Sequence, residues 1–133
     1  MMRANECQPR RQHIERERPI HLAILAYLRL ALPGAAIHHS AQGLDMSGSN
    51  VARQVAKAKH MGMMPGWPDI EAFYKGRAMF FEVKAEGGVL SDAQRAVSNL
   101  LVSNGASWSV VRSVDDARDA LALWGVETAE WRQ

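Results

Sequence analysis

In the segment GWPDIEAFYKGRAMFFEVKAEGG, Gly66 to Gly88, the acids Asp69, Glu71 and Glu82 and the base Lys84 lie within or beside two apolar runs. Strand-like segments usually keep charge off a face they bury. With Lys75 and Gly76 as the two central residues of a hairpin turn, Tyr74 pairs with Arg77 and Asp69 falls directly opposite Glu82. Opposed residues share a face, with Cβ atoms about 4.5–5.5 Å apart. Lys84, two positions beyond Glu82, shares that face as well. A turn centred on Gly76-Arg77 sets Asp69 opposite Lys84 instead and keeps the three together; a three-residue loop breaks the parity. Two opposed carboxylates repel, and partial burial makes this worse. A hard divalent cation removes that cost, because carboxylates are ligands Mg²⁺ accepts. Such an ion polarises a phosphoryl oxygen and lowers the pKa of bound water, and a lysine beside it steadies the attacking hydroxide or the developing phosphorane charge. The constellation suits phosphodiester hydrolysis. Spacing alone is equally compatible with Asp69 capping the turn after Pro68 and with Glu82 and Lys84 solvated on an open sheet face. Glu71 falls opposite Phe80, away from the opposed pair, and is left out of the metal group.

The elements that must hold these groups follow from periodicity and punctuation. Residues 1–16 are polar and arginine-rich and are expected to form a partly flexible arm; 17–125 form the folded domain and 126–133 a tail. Pro19 suits the first turn of a helix, IHLAILAYLRLAL, which stops at Pro33-Gly34. That helix is apolar nearly all round except for a stripe with His21 and Arg29, so it is expected to be buried on most sides and is a candidate subunit interface. AAIHHS reads as a short strand in which one of His38 and His39 points inward; neither is assigned to a metal. After the loop AQGLDMSGSN, a helix from Ser49 to Met61 is capped by Ser49 or Asn50. Ala52, Val55, Ala56 and Met63 share one face; Arg53, Lys57 and His60 share another, as a solvated face or a phosphate contact. The strands DIEAFY and RAMFFEVK follow, then the loop AEGGVL. A helix from Ser91 to Asn104 offers Ala93, Ala96, Val97, Leu100 and Leu101 to the core and ends at Gly105. SWSVVR is the last strand, and Ser113 caps a final helix, VDDARDALALW, ended by Gly125. The order is α-β-α-β-β-α-β-α, an α/β mixed sheet flanked by helices. The β-α-β unit after the hairpin implies a parallel pair with a right-handed crossover.

The 133 residues suit one domain, and 47% hydrophobic content suffices for a core. A formal net charge of +2 permits a polyanionic partner without demanding one. Cys7 is the sole cysteine, which excludes a disulfide framework or a cysteine-based zinc site within one chain. The start, MMRANECQPRRQHIERERP, holds no apolar segment and does not read as a secretory signal; the run from Ile20 to Leu32 is too short to span a bilayer. No membrane association is expected, and the expected compartment is the cytoplasm, that of the host cell if the protein is phage-encoded.

The dipeptide PD at 68–69 followed by EVK at 82–84 resembles the PD-(D/E)xK nuclease signature. More specifically, AKHMGMMPGWPDIEAF, GRAMFFEVKAEGGVLSDAQ and VVRSVDDA resemble the VRR-NUC family of that superfamily, over residues 17–125. The resemblance implies a restriction-endonuclease-like α/β fold with an α-β-β-β-α-β core, here with one helix added after the first strand. It implies that Asp69 and Glu82 bind Mg²⁺ or Mn²⁺ with the backbone carbonyl of Val83, and that Lys84 is the catalytic lysine. Gln94 in LSDAQ matches the family's helix glutamine near the active centre, yet it also completes S-x-x-Q with Ser91, a capping box; one conformer is not expected to serve both. Glu17 matches the first-helix glutamate, a metal ligand in this reading, with Glu15 a competitor and His21 where the family commonly has glutamine. Glu17 and His21 are also spaced as a plain surface pair. HHSAQG lacks the Asn-Gly pair many relatives carry after the first strand. Arg112, at a strand end, is a further candidate phosphate contact beside Arg53, Lys57 and His60.

What the resemblance implies in function is a metal-dependent, structure-selective endodeoxyribonuclease, similar to Holliday-junction resolvases and acting on branched DNA as a homodimer. The alternatives are a nuclease for flap, single-stranded or duplex DNA, and a catalytically silent nuclease-fold DNA-binding protein.

Overall fold

The computed structural model describes residues 8–40 and 50–132, with side chains from Glu15 to Ser40 and from Asn50 to Glu130. Its elements are α1 (Gln8–Ala31), β1 (Ala36–His39), α2 (Val51–His60), β2 (Ile70–Tyr74), β3 (Arg77–Val83), α3 (Asp92–Ser103), β4 (Ser107–Val111) and α4 (Val114–Leu123), with a short 3-10 turn at Ala129–Arg132. The four strands form one sheet in the order β1-β2-β3-β4. The β1/β2 and β2/β3 pairs are antiparallel and β3/β4 is parallel. This is the expected α/β mixed sheet flanked by helices.

The hairpin turn is the expected one. Lys75 and Gly76 both take positive φ, 48° and 79°, as a type I′ turn requires. The register then pairs Tyr74 with Arg77, Glu71 with Phe80 and Ile70 with Phe81. Alternation along these strands sends Ile70, Ala72, Met79, Phe81 and Val83 to one face, where they are fully or almost fully buried. They meet Ile24, Leu25, Leu28 and Ala31 of α1, Leu32 just beyond it, and Ala117, Ala120 and Leu121 of α4 in a single apolar core.

The helices depart from the sequence reading in four places. First, α1 begins at Gln8 and carries Pro19 inside it rather than in its first turn. A proline costs an internal hydrogen bond and crowds the carbonyl four residues earlier; Glu15 and Pro19 are both exposed, so this stretch of α1 lies on the open side of the helix. Part of the expected arm is therefore helical, while residues 1–7 lie outside the described residues. Secondly, α1 is not buried on most sides within the chain: Leu22 and Leu30 are 55% and 78% exposed, and only the side facing the sheet and α4 is covered. Thirdly, α3 buries Val97 and Ser98 and half-buries Gln94 and Leu101, leaving Ala93, Ala96 and Leu100 exposed. The predicted face is rotated because α3 lies on the polar side of the sheet, where Gln94 meets Glu82. Fourthly, no residue of α2 is buried; Val55 and Met63 are only half-covered, Ala52 and Ala56 are exposed, and Asn50 makes no side-chain cap. The expected alternative cap, Ser49, lies outside the described residues, as does the preceding loop. The tail is packed rather than loose: Val126 and Thr128 are buried, and Glu130 accepts from Arg118 Nε at 3.2 Å.

Candidate active site

Asp69 sits between buried Pro68 and Ile70, at the entry to β2. Its backbone carbonyl accepts Ser40 N–H at 2.8 Å and lies 3.2 Å from His39 Nδ1, so the end of β1 anchors it. Its carboxylate does not cap the turn after Pro68: Oδ2 accepts Val83 N–H at 2.8 Å, across the hairpin. Continuing the observed register by one pair sets Asp69 opposite Glu82.

Glu82 is only 2% exposed. Its Oε1 accepts Gln94 Nε2 at 2.8 Å and lies 3.9 Å from Lys84 Nζ. Its Oε2 is buried and, as a carboxylate oxygen, has no donor. Burial pushes the Glu82 carboxyl up to about 9; the Asp69 charge and a shared hydrogen bond with Asp69 add to this, Lys84 opposes it, and Glu17 raises it a little further. Lys84 is itself 13% exposed in its side chain, and its backbone N–H is held by Val111 carbonyl at 3.1 Å.

Gln94 serves both expected roles in one conformer. Ser91 Oγ accepts Gln94 N–H at 3.1 Å and Gln94 Oε1 accepts Ser91 N–H at 2.9 Å, closing the capping box; the amide Nε2 remains to donate to Glu82. The expectation that the roles exclude each other fails because the amide has two ends. The start of α3 is set by Gly66. Its φ is +84°, and a Cβ there meets Ala93 C at 2.4 Å, Ala93 O at 2.5 Å and Gln94 N at 2.6 Å. Gly66→Ala therefore forces α3 and Gln94 away from Glu82, and is expected to cost more than about 2 kcal/mol in urea unfolding. Gly76→Ala has similar backbone strain but open space around the added methyl, and is expected to cost about 1 kcal/mol.

From the opposite side, a cavity of about 430 Å³ opens between α1 and the hairpin, lined by Glu17, His21, Leu22, His39, Asp69 and Val83 among others. Glu17 is half-buried against this cavity, whereas Glu15 is exposed. The His21 ring packs edge-on to His39 at 4.5 Å, and its Nε2 is buried without a hydrogen-bond partner. Burial lowers the His21 pKa, the neighbouring His39 lowers it further, and Asp69 opposes both. His39 falls opposite Ile70 on the core face and His38 opposite Glu71 on the other, but both are exposed at this edge strand, so the expected inward-pointing histidine is not found.

The remaining sequence candidates stand apart. Arg112 is exposed, and its guanidinium donates to the carbonyls of Ala85 and Gly88 at 2.7 and 2.8 Å, fastening the loop after β3. Arg53, Lys57 and His60 are exposed on α2. Two contacts had no sequence signal of their own: Arg16 Nη2 reaches Glu86 carbonyl at 3.3 Å, and Trp67 Nε1 donates to Glu71.

Asp69, Glu82 and the Val83 carbonyl are hard oxygen donors, and the donorless Glu82 Oε2 fits a cation. Among the described residues no group of three His, Cys, Asp or Glu side chains is gathered to hold an ion. The fit is therefore to a cation that keeps water or substrate oxygens in its shell, as Mg²⁺ does, rather than to one caged by side chains.

No family model and no curated protein matches the chain. A solved structure described as a "VRR_NUC domain protein" does match, with a TM-score of 0.59 and 19% identity, covering 82% of this chain and 87% of that chain. The chain has the VRR-NUC fold, as its motifs imply. No helix among the described residues is long and apolar enough to cross a membrane.

Proposed function

We propose that this protein is a Mg²⁺- or Mn²⁺-dependent endodeoxyribonuclease selective for DNA structure, with four-way junctions as its substrate and a homodimer as its working form. The observation that carries the reading is the pair of opposed carboxylates, Asp69 and Glu82, with Lys84 beside them and a buried Glu82 oxygen that has no donor. Asp69 and Glu82 hold the ion with the Val83 carbonyl, and Glu17 approaches from α1, within electrostatic reach of Glu82. When bound, the ion supplies positive charge to the phosphoryl group and acidifies water so that it attacks at neutral pH. Lys84 offers its ammonium to the attacking oxygen or to the charge that builds on the phosphate. Gln94 keeps Glu82 Oε1 occupied and thereby fixes the orientation of the carboxylate.

A junction presents paired scissile strands, which suits a two-fold dimer. The exposed Leu22 and Leu30 of α1 supply apolar surface for that contact, and the basic face of α2 supplies phosphate contacts.

Labelled junction, flap, duplex and single-stranded DNA incubated with Mg²⁺, Mn²⁺ or EDTA test this reading. Junction cutting that EDTA abolishes is expected. Equal cutting of linear duplex and junction removes the junction preference and leaves the nuclease. No cutting of any substrate leaves a silent DNA-binding protein, and a monomer by light scattering removes paired cutting.

A further inference from the structure

Glu71, which the proposed reaction does not use, forms the floor of a second cavity. This cavity measures about 370 Å³ and is lined by His38, Ser40, Gly62, Met63, Met64, Trp67 and Glu71. Its size is that of a small-molecule site. Trp67, Met63 and Met64 give it apolar, polarisable walls of the kind that hold a flat aromatic ligand. Trp67 is itself held in place: its ring packs edge-on to Phe80 at 5.7 Å, and its Nε1 donates to Glu71. Ser40 Oγ donates to the same oxygen, Glu71 Oε1, at 3.2 Å. Among the described residues both bonds to this carboxylate fall on Oε1, which leaves Oε2 to accept from a ligand.

Position narrows the ligand. Glu71 lies two residues beyond Asp69 on the same face of the hairpin, about 6.6 Å along a strand. That is close to one nucleotide step of an extended DNA strand. A strand whose phosphate lies at Asp69 and Glu82 brings its neighbouring base to this cavity. Resting on the nuclease reading above, we infer that the cavity receives one unpaired nucleobase of the substrate, next to the phosphate attacked, and that Glu71 accepts from an exocyclic amine on it. Cytosine, adenine and guanine carry such an amine; thymine does not. The site therefore selects DNA in which a base beside the cut is unstacked, as at a junction, flap or single strand, and disfavours thymine there.

The test measures fluorescence anisotropy of short labelled single-stranded oligonucleotides in EDTA at neutral pH: oligo-dC, oligo-dT and an abasic oligomer with the same phosphates. Oligo-dC is expected to bind about tenfold tighter than the abasic oligomer, since base–aromatic contact dominates, and severalfold tighter than oligo-dT. Glu71→Gln keeps an acceptor for Trp67 and is expected to erase the preference for dC over dT. Trp67→Ala is expected to bring dC binding down to the abasic level. Met64→Ala, at an exposed wall position that does not hold the fold, is expected to weaken dC binding and leave abasic binding unchanged. Equal binding of dC and abasic oligomers overturns the inference, and equal binding of dC and dT overturns the role of Glu71. Because the assay needs no cleavage, a protein that binds as expected but never cuts refutes the nuclease reading alone. One that cuts with Mg²⁺ yet binds abasic DNA equally refutes the base site alone.

Discussion

Asp69→Asn and Lys84→Ala are expected to cut junction DNA roughly 10²–10³-fold more slowly than the unaltered protein in single-turnover assays with Mg²⁺, with little change in unfolding temperature. The two substitutions act on different atoms. Asn at position 69 keeps an oxygen for Val83 N–H, so the bond across the hairpin survives. What it loses is the negative charge opposite Glu82. Its effect on the fold is therefore expected to be small. Asp69→Ala removes that bond too and is expected to cost about 1 kcal/mol more. Lys84→Ala leaves both carboxylates in place but takes away the one cation that lowers the Glu82 pKa. Its backbone bond to Val111 is independent of the side chain. Cutting at the normal rate by either variant, with circular dichroism showing a native fold, sinks the site assignment.

The second large effect is the dependence on pH of both stability and cation affinity. The Glu82 carboxyl moves from an ordinary value of 4.5 to about 9 in the folded chain, chiefly through burial and then through Asp69. Between those values the unfolded chain has released the proton and the folded chain still holds it. Raising the pH through this window therefore favours unfolding, by up to about 1.4 kcal/mol per pH unit. The stabilising contribution is complete below the unfolded value and lost as pH rises through the folded one. Urea unfolding in EDTA is expected to show this decline, and Glu82→Gln is expected to flatten it. A divalent ion needs the ionised group, so its binding expels the proton. Mn²⁺ affinity by calorimetry is then expected to rise up to about tenfold per pH unit across the same window, with close to one proton released per ion at neutral pH. Affinity independent of pH, or no proton release in buffers of different ionisation enthalpy, contradicts an ion at Glu82.

Both effects stem from one physical circumstance. The hairpin places two acids face to face, and α3 and α1 then close around them. α3 brings the neutral amide of Gln94 to Glu82, and α1 brings both Glu17 and Arg18 to the neighbouring cavity. The charge nearest Glu82 is Lys84, just past the end of β3, at 3.9 Å.

What could be read from the chain alone is what neighbours in sequence decide. A two-residue turn with φ positive at Lys75 and Gly76 determines the register of β2 and β3, and a period of two then settles which residues share a face. That logic put Asp69, Glu82 and Lys84 together and set Glu71 apart from them, opposite Phe80. The caps at Ser91 and Ser113 are equally local: each hydroxyl accepts an N–H three residues on. The element order follows from the same short-range signals. Tertiary structure decided the rest, because it depends on how helices settle onto the two faces of the sheet. The inward face of α3 is chosen by a polar partner, Glu82, and not by its own apolar stripe, so apolar periodicity pointed the wrong way. Continuation of α1 through Pro19 depends on an exposed helix side, which no local rule reveals. Glu17 rather than Glu15 faces the cleft because the core contacts of Ile24 and Leu28 fix the rotation of α1. The bonds of Arg112 to the loop after β3 join residues far apart in sequence. Local chemistry wrote the hairpin and its acids; only packing between distant elements could choose which side chains surround them.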